Sequence, residues 1–454
     1  SSTYYLLPNI YQYIGSYYHH LDNSITIRHT SFLAMFYSFC QAFLMVITIL
    51  MHGKLGVRNT FFLINLFMFI LIYASSYCKD LYWFSVLFSI GGSWTTGGYI
   101  YTGIKCLYSY FTKKNQKAIA GGVTISGQAL ISILTTNFAL YYINPHNEPA
   151  INGKYFSKEV AMRLPNFIRA LAILYFIAGF IGTFLILDPL PEPEEAITEN
   201  QNLLAATAGS EDNKTDAATQ PPTGAHHEGE EKKTAQELII QILQAFQNPI
   251  FFRLMTIKVI CTIGMFFFAF SFKAIYLKSM PHADRFVTFA ANVTMIPNIL
   301  SRLVGGVLYN KLKFTISQST VSILLCITII LLVPCAASRS YTLFLGVLCT
   351  HYACFGFAFT MHMMVFEDAF DKLGVLWLSI SIVMTLALAS LGFYLYENTF
   401  GKVFSELVLT LIMGAFTLVP LIFVPTVTNF IKEKTEREES ELAELKIKEA
   451  IENQ

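Results

Sequence analysis

Long apolar stretches recur along the chain at intervals that match membrane-spanning helices. Crossing the hydrocarbon core of a bilayer takes about 20 mainly apolar residues at a rise of about 1.5 Å per residue. Several stretches meet this requirement, and a long polar segment divides them into two groups. The predicted spans lie at about 30–51, 60–78, 82–107, 115–141 and 166–187, and then at about 250–277, 284–309, 315–336, 340–368, 373–397 and 404–430.

Residues 1–20 are also apolar, but this stretch is short, rich in tyrosine and interrupted by Pro8. We interpret it as the second half of a first span whose beginning precedes Ser1. Each group then contains six spans, and two equivalent sets of helices are the repeat arrangement of many secondary transporters. The sequence therefore predicts an all-α, polytopic membrane protein made of two six-helix bundles.

The polar segment between the two groups is rich in Glu, Asn, Thr and Pro. Such a composition cannot bury enough apolar surface to fold by itself, so it predicts a disordered linker. The apolar residues that follow recur at helical spacing and predict an amphipathic helix lying in the membrane interface. The expected organisation is an N-terminal bundle at 1–187, the linker at 188–233, the interfacial helix at 234–247, a C-terminal bundle at 248–431 and a charged helical tail at 432–454.

The composition agrees with a membrane protein. The chain is 54% hydrophobic and 13% charged, whereas soluble domains contain roughly 25% charged residues. A net charge of +1 gives no basic surface for nucleic acid, so the lipid bilayer is the expected environment and no nucleic-acid partner is expected. The sequence has no zinc-protease, P-loop or serine-hydrolase motif. We therefore expect no enzymatic activity, no cofactor and no metal site.

Several short motifs occur in a suggestive order. Residues 110–114 (YFTKK) precede the Gly-rich stretch 118–127, and Pro8 opens the stretch 8–13 (PNIYQY). In the second half, Phe272-Lys273 precedes residues 301–306 (SRLVGG). In order and spacing these stretches resemble the major facilitator superfamily, and within it the oxalate/formate antiporters and the monocarboxylate transporters. The resemblance implies a secondary carrier for small organic anions that works by alternating access.

The chain departs from this family in two loops. The family's loop between spans two and three resembles G-x-L-x-D-R-x-G-R-R, and here Gly53, Leu55 and Arg58 are kept while Val57 stands in place of the aspartate. In the equivalent loop between spans eight and nine, Asn310 replaces the aspartate. The resemblance implies that this carboxylate holds helix ends together in one access state. Its replacement in both halves removes a charged latch.

Ionisable residues inside the predicted spans are candidates for function, because a charge in the membrane is costly. Lys273 is the strongest candidate for an anion contact, although its ammonium could instead extend to the interface. Arg302 could bind a carboxylate through two hydrogen bonds or satisfy helix-end carbonyls. His351 could relay protons or be a hydrogen-bonded structural residue. Tyr99 and Gln128 are uncharged candidates for the wall of a cavity.

Two functions remain open from the sequence. The first is a secondary carrier for small, monocarboxylate-like anions, since the family's basic residue in span eleven, expected for a dicarboxylate, has no counterpart inside 373–397. The second is a transporter-derived accessory subunit of a larger membrane assembly, with partner subunits, and the two replaced carboxylates favour it. Either would be a multi-pass protein of the mitochondrial inner membrane or of the plasma or vacuolar membrane.

Overall fold

Helices make up nearly all the regular structure in the part of the chain that the structure describes. The structure is a computed structural model, and it describes residues 3–110, 114–151, 155–185, 240, 243–280, 282–370, 374–399 and 404–452. Within these ranges the extended pairing is a single isolated bridge between Ile151 and Tyr155. Eight helical segments of the described chain are long and apolar enough to cross a membrane. The predicted all-α, polytopic fold is confirmed.

Six α-helices occur among the described residues of the first half of the chain. The second of them, α2, contains two membrane-crossing arms, Ser31–His52 and Lys54–Ser75. The helix bends at Gly56, near the start of the second arm, and the φ of 74° and ψ of 173° at this residue lie in a region open almost only to glycine. The sequence predicts a loop here, and the structure replaces it with one sharp bend. The helices are α1 (Thr3–Leu21), α2 (Ser31–Ser75), α3 (Leu81–Tyr110), α4 (Lys114–Ile143), the short α5 (Lys158–Ala161) and α6 (Leu164–Leu185).

The second half repeats this pattern. Its first helix begins after Asn248, whose side chain accepts hydrogen bonds from the backbone N–H groups of Ile250 and Phe251 at 2.9 and 3.2 Å. The next helix bends at Lys313, with φ 59° and ψ 172°, in the position equivalent to the bend of α2. The helices are α7 (Pro249–Ser279), α8 (Asp284–Ala337), α9 (Tyr341–Phe370), α10 (Gly374–Asn398), α11 (Glu406–Phe416) and α12 (Val424–Glu452).

The last predicted span, 404–430, is not one continuous helix. A 3₁₀ segment at Val419–Ile422 separates α11 from α12. Pro420 and Pro425 account for the interruption, because proline has no N–H to donate within a helix. The predicted tail continues from the span as part of α12.

Two predicted segments fall largely outside the described residues. The linker at 188–233 lies there entirely. Of the interfacial segment at 234–247, Ile240 and residues 243–247 are described, and all of them are helical. The ring of Phe246 contacts that of Phe251 with centroids 5.8 Å apart, so the end of this segment packs against the start of α7.

The two halves of the protein contact each other through α4 with α8 and through α2 with α10. Hydrogen bonds cross both contacts: the hydroxyl oxygens of Ser38 and Ser390 are 2.6 Å apart, and Asn292 Nδ2 donates to Asn137 Oδ1 at 2.9 Å. We call the side of the membrane where α6 ends and α7 begins the linker side, and the opposite side the far side. The contacts between the halves frame the region where candidate residues lie.

Candidate functional site

A cavity with about 420 Å³ of empty space lies between α1 of the first half and helices α7 and α9 of the second. This space includes open solvent, and the volume that the centre of a water-sized sphere can reach is about 30 Å³. Its walls are mostly apolar and aromatic, with one histidine. The lining residues are Pro8, Met265, Phe266, Ala269, Phe270, His351, Tyr352 and Phe355.

His351 is fixed on the cavity wall by two neighbours. Its ring stacks on Phe268 at a centroid distance of 3.7 Å, and its Nδ1 is 2.9 Å from the hydroxyl oxygen of Thr328. The hydroxyl of Thr328 also lies 3.1 Å from the backbone oxygen of Leu325. Which of the two atoms donates between His351 Nδ1 and Thr328 depends on the tautomer of the ring. His351 is held in place by hydrogen bonding and also faces the cavity, so both predicted roles stay open to it.

Arg302 lies directly behind the cavity wall. It is 1% exposed, and its guanidinium carbon is 5.9 Å from the ring centroid of Phe355 and 5.2 Å from that of Phe359. These are cation–π distances. Phe355 lines the cavity and also contacts the guanidinium, so Arg302 lies next to a residue of the cavity lining.

Lys273 is turned into the protein rather than toward the membrane interface. Its side chain is 5% exposed, and its ammonium lies 2.8 Å from Asp284 Oδ1. It also contacts the first half: Nζ donates to the backbone oxygen of Asn9 at 3.4 Å and lies 5.1 Å from the ring centre of Tyr13. The lysine is bound by internal partners, and extension to the interface does not occur.

Asp284 is a site residue that the sequence analysis missed. Its Oδ2 accepts hydrogen bonds from the hydroxyl of Tyr13 at 2.9 Å and from Asn144 Nδ2 at 3.3 Å. Tyr13 and Asn144 belong to the first half, whereas Asp284 and Lys273 belong to the second. We call these four residues with Asn9 the far-side network. The carboxylate ties the two halves together at the far side of the cavity.

The sequence contains a signal for the pairing of Asp284 with Lys273. Asp284 begins the span that follows Lys273, and only four residues separate it from the end of the preceding helix at Ser279. A carboxylate at the start of one helix and a lysine near the end of the preceding helix lie at the same membrane level. That geometry could have marked Asp284 as the partner of Lys273.

Of the two uncharged candidates, Tyr99 is not among the residues that line this cavity. The Tyr99 hydroxyl donates to Asn65 Oδ1, and Asn65 Nδ2 donates in turn to Thr183 Oγ1 at 3.2 Å. This chain joins α3, α2 and α6 within the first half. Gln128 lies on α4, and its side chain is outside the part of the chain that the structure describes.

The comparisons with known proteins agree with this geometry. A family model described as Major Facilitator Superfamily matches residues 1–390. The chain belongs to the Major Facilitator Superfamily. Among solved structures, this facilitator is similar to the crystal structure of a D-xylose-proton symporter, with a TM-score of 0.61 and 10% identity over 93% of this chain and 95% of that chain. At this identity the likeness shows the shared fold.

A comparison with curated proteins finds no match. Membership of the superfamily, together with the multi-pass helical fold, makes this facilitator a membrane protein of the secondary-transporter type.

Proposed function

We propose that this facilitator transports a small organic monocarboxylate, which binds in the central cavity and crosses by alternating access. The observation that carries this proposal is the cavity wall itself. It combines apolar side chains with His351, and the cation of Arg302 lies behind Phe355. None of the lining residues is an aspartate or glutamate. Such a site favours a ligand with one apolar end and one negative end.

The chemistry of the site favours one carboxylate over two. A short alkyl group would pack against Met265, Phe266 and Ala269, and the carboxylate would face His351. With Phe355 rotated, the planar guanidinium of Arg302 could bind that carboxylate through two parallel hydrogen bonds. A second carboxylate on the same ligand would need a cation in the cavity lining, and no lining residue is a lysine or arginine. Helix α10, which crosses beside α2, contains none either.

The contacts between the halves suit alternating access. On the far side the halves are joined by the far-side network. On the linker side Met45 and Ile49 of α2 share one buried apolar cluster with Met361 and Trp377 of the second half. Opening one set of contacts while the other holds would expose the cavity to one side at a time.

Uptake into proteoliposomes tests the proposal. Labelled lactate or formate should enter with saturable kinetics, and oxalate should enter more slowly. Arg302→Gln should lower uptake about 10- to 100-fold, since a hydrogen bond to a charged group contributes roughly 1.5–3 kcal/mol. Arg163→Gln is the control, because Arg163 makes a partly exposed ion pair with Glu159 at 3.2 Å, outside the cavity lining. Absence of saturable flux for every anion tested, or an equal loss in both variants, contradicts the proposal.

One observation favours the second candidate, an accessory subunit of a larger membrane assembly. Helix α12 has 29 residues and is therefore about 44 Å long, which carries its charged end beyond the membrane. Lys434 Nζ donates to the backbone oxygen of Asp368 at 3.0 Å and anchors the helix near its departure from the bundle. The projecting part would offer a surface to partner subunits.

Native electrophoresis after extraction in mild detergent tests this second candidate. An accessory subunit should migrate within a complex several times larger than its own mass, and truncation after Glu436 should release it. Migration of the intact chain by itself rules out this function.

A further inference from the structure

A third buried cation, besides Arg302 and Lys273, lies on the linker side of the cavity. Lys258 of α7 is 6% exposed, and among the described residues no carboxylate lies within 4.0 Å of its ammonium. Its neighbour is the ring of Phe366, whose centroid is 5.8 Å away. A buried ammonium without an anionic partner is unfavourable, so this position favours the arrival of an anion.

His362 of α9 faces the same place. It is 2% exposed, and Lys258 is near enough to act on it electrostatically. Its Nδ1 lies 2.6 Å from the backbone oxygen of Ala358. Because a carbonyl oxygen only accepts, Nδ1 carries the proton of that bond. The other ring nitrogen, Nε2, is buried and has no hydrogen-bond partner among the described residues.

Both residues continue the helix faces that line the cavity. Lys258 precedes the cavity residue Met265 by seven positions, and His362 follows the cavity residue Phe355 by seven positions. Seven residues make about two helical turns and about 10.5 Å, and they return to the same face of a helix. Since α7 begins on the linker side and α9 ends there, both residues lie two turns from the cavity in the same direction.

We propose that Lys258 and His362 form a second anion-binding position, for a small carboxylate, about two helical turns nearer the linker side than the central cavity. The identity of the ligand rests on the proposed function. One carboxylate oxygen would contact the ammonium of Lys258. His362, whose Nδ1 proton is donated to Ala358, would take up at Nε2 the proton that accompanies the anion, and Nε2 would then donate to the other carboxylate oxygen. The surrounding apolar side chains, among them Met361 and Phe366, exclude water and strengthen both contacts.

This position would be an intermediate binding site for the substrate between the cavity and the linker side. A carboxylate that leaves Arg302 and His351 would next meet Lys258 and His362 along the same two helices. A cation at each binding site neutralises the charge of the carboxylate and so lowers the energy barrier to crossing the apolar region between the two sites. We therefore expect Lys258 to control affinity and exchange on the linker side.

Equilibrium binding of labelled lactate to the full chain in nanodiscs tests the proposal. The wild type should bind close to two lactates, and Lys258→Met should lose one of them, with an affinity at this position lowered at least about tenfold. Lys258→Arg should keep both, since it keeps the charge. Lys258→Met preserves side-chain length without the charge, so its melting temperature should equal or exceed that of the wild type. Arg302→Gln should lose the other lactate.

The outcomes separate this proposal from the proposed transport. If the wild type takes up lactate but Lys258→Met keeps its lactate stoichiometry and affinity, the second position does not exist. If wild-type uptake is absent but lactate binding depends on Lys258, the position stands and the transport function fails. If neither uptake nor Lys258-dependent binding is found, both proposals are wrong.

Discussion

Replacement of Asp284 by asparagine should destabilise this facilitator strongly and loosen the closure of its far side. In the wild type the ammonium of Lys273 lies 2.8 Å from the Asp284 carboxylate. The substitution keeps the side-chain shape but leaves that ammonium buried without a carboxylate partner. Breaking a buried ion pair by removal of one partner costs about 3–5 kcal/mol. The loss should appear as a lower melting temperature in detergent and as faster labelling of a cysteine introduced at Asn147.

The ion pair between Lys278 and Glu406 provides a matched control. Its atoms are 3.0 Å apart, close to the distance in the buried pair, but the two side chains are 69% and 44% exposed. Exposed pairs contribute at most about 1 kcal/mol, so Glu406→Gln should change the melting temperature little. The double variant Lys273→Met/Asp284→Asn removes both charges and should regain most of the lost stability. Equal effects of Asp284→Asn and Glu406→Gln contradict the role of Asp284.

A substitution at Tyr13 can distinguish two roles of the far-side network, which are to join the two halves and to stabilise the fold through its ion pair. Its hydroxyl donates to Asp284 across the boundary between the halves, whereas the ion pair lies within the second half. Tyr13→Phe should therefore shift the balance toward far-side opening with a smaller loss of stability than Asp284→Asn. The far-side network joins the two halves at the side of the membrane opposite the bends at Gly56 and Lys313.

The helices could be predicted from the sequence because the bilayer imposes a simple requirement. Each span must be about 20 residues long and satisfy its own backbone hydrogen bonds, so apolar length alone places them. The bends at Gly56 and Lys313 could not be located this way. They depend on single backbone conformations, and a polar stretch of five to eight residues predicts a loop equally well.

The sequence singles out Lys273, Arg302 and His351 because an ionisable residue within a span is itself a signal. The structure places His351 in the cavity lining, and the binding roles of all three stay predictions. Asp284 was missed because it begins a helix, where acidic residues are ordinary, and its bond to Tyr13 joins residues 271 positions apart. The aromatic Tyr99 resembled a cavity residue, but α3 turns it toward Asn65. Which face of an apolar helix meets the cavity depends on packing between distant segments.

The contact between α8 and α9 holds Arg302 behind Phe355, and it requires a glycine at position 356. A Cβ atom built on Gly356 would lie 2.3 Å from both the backbone oxygen of Asn298 and the hydroxyl of Ser301. The backbone oxygen cannot rotate away, so the two helices would have to separate. This contact is also tied by Asn298 Nδ2, which donates to the backbone oxygen of Tyr352 at 2.8 Å.

Gly356→Ala should therefore lower both stability and transport. Inserting a methyl group into a closed contact costs about 1–3 kcal/mol, and backbone obstruction places this variant at the upper end. Separation of the helices would also move Arg302 away from Phe355 and from the cavity wall, so uptake should fall by more than the loss of folded protein explains. Thermal melting and proteoliposome uptake, normalised to folded protein, measure the two effects.

Gly346 on the same helix is the control for this variant. A Cβ there meets nothing within 4 Å, and alanine favours a helix over glycine by about 1 kcal/mol. Gly346→Ala should melt at or above the wild-type temperature and keep wild-type uptake. The same melting temperature for both alanine variants would show that α8 and α9 can separate freely. The position of Arg302 would then not depend on their close approach.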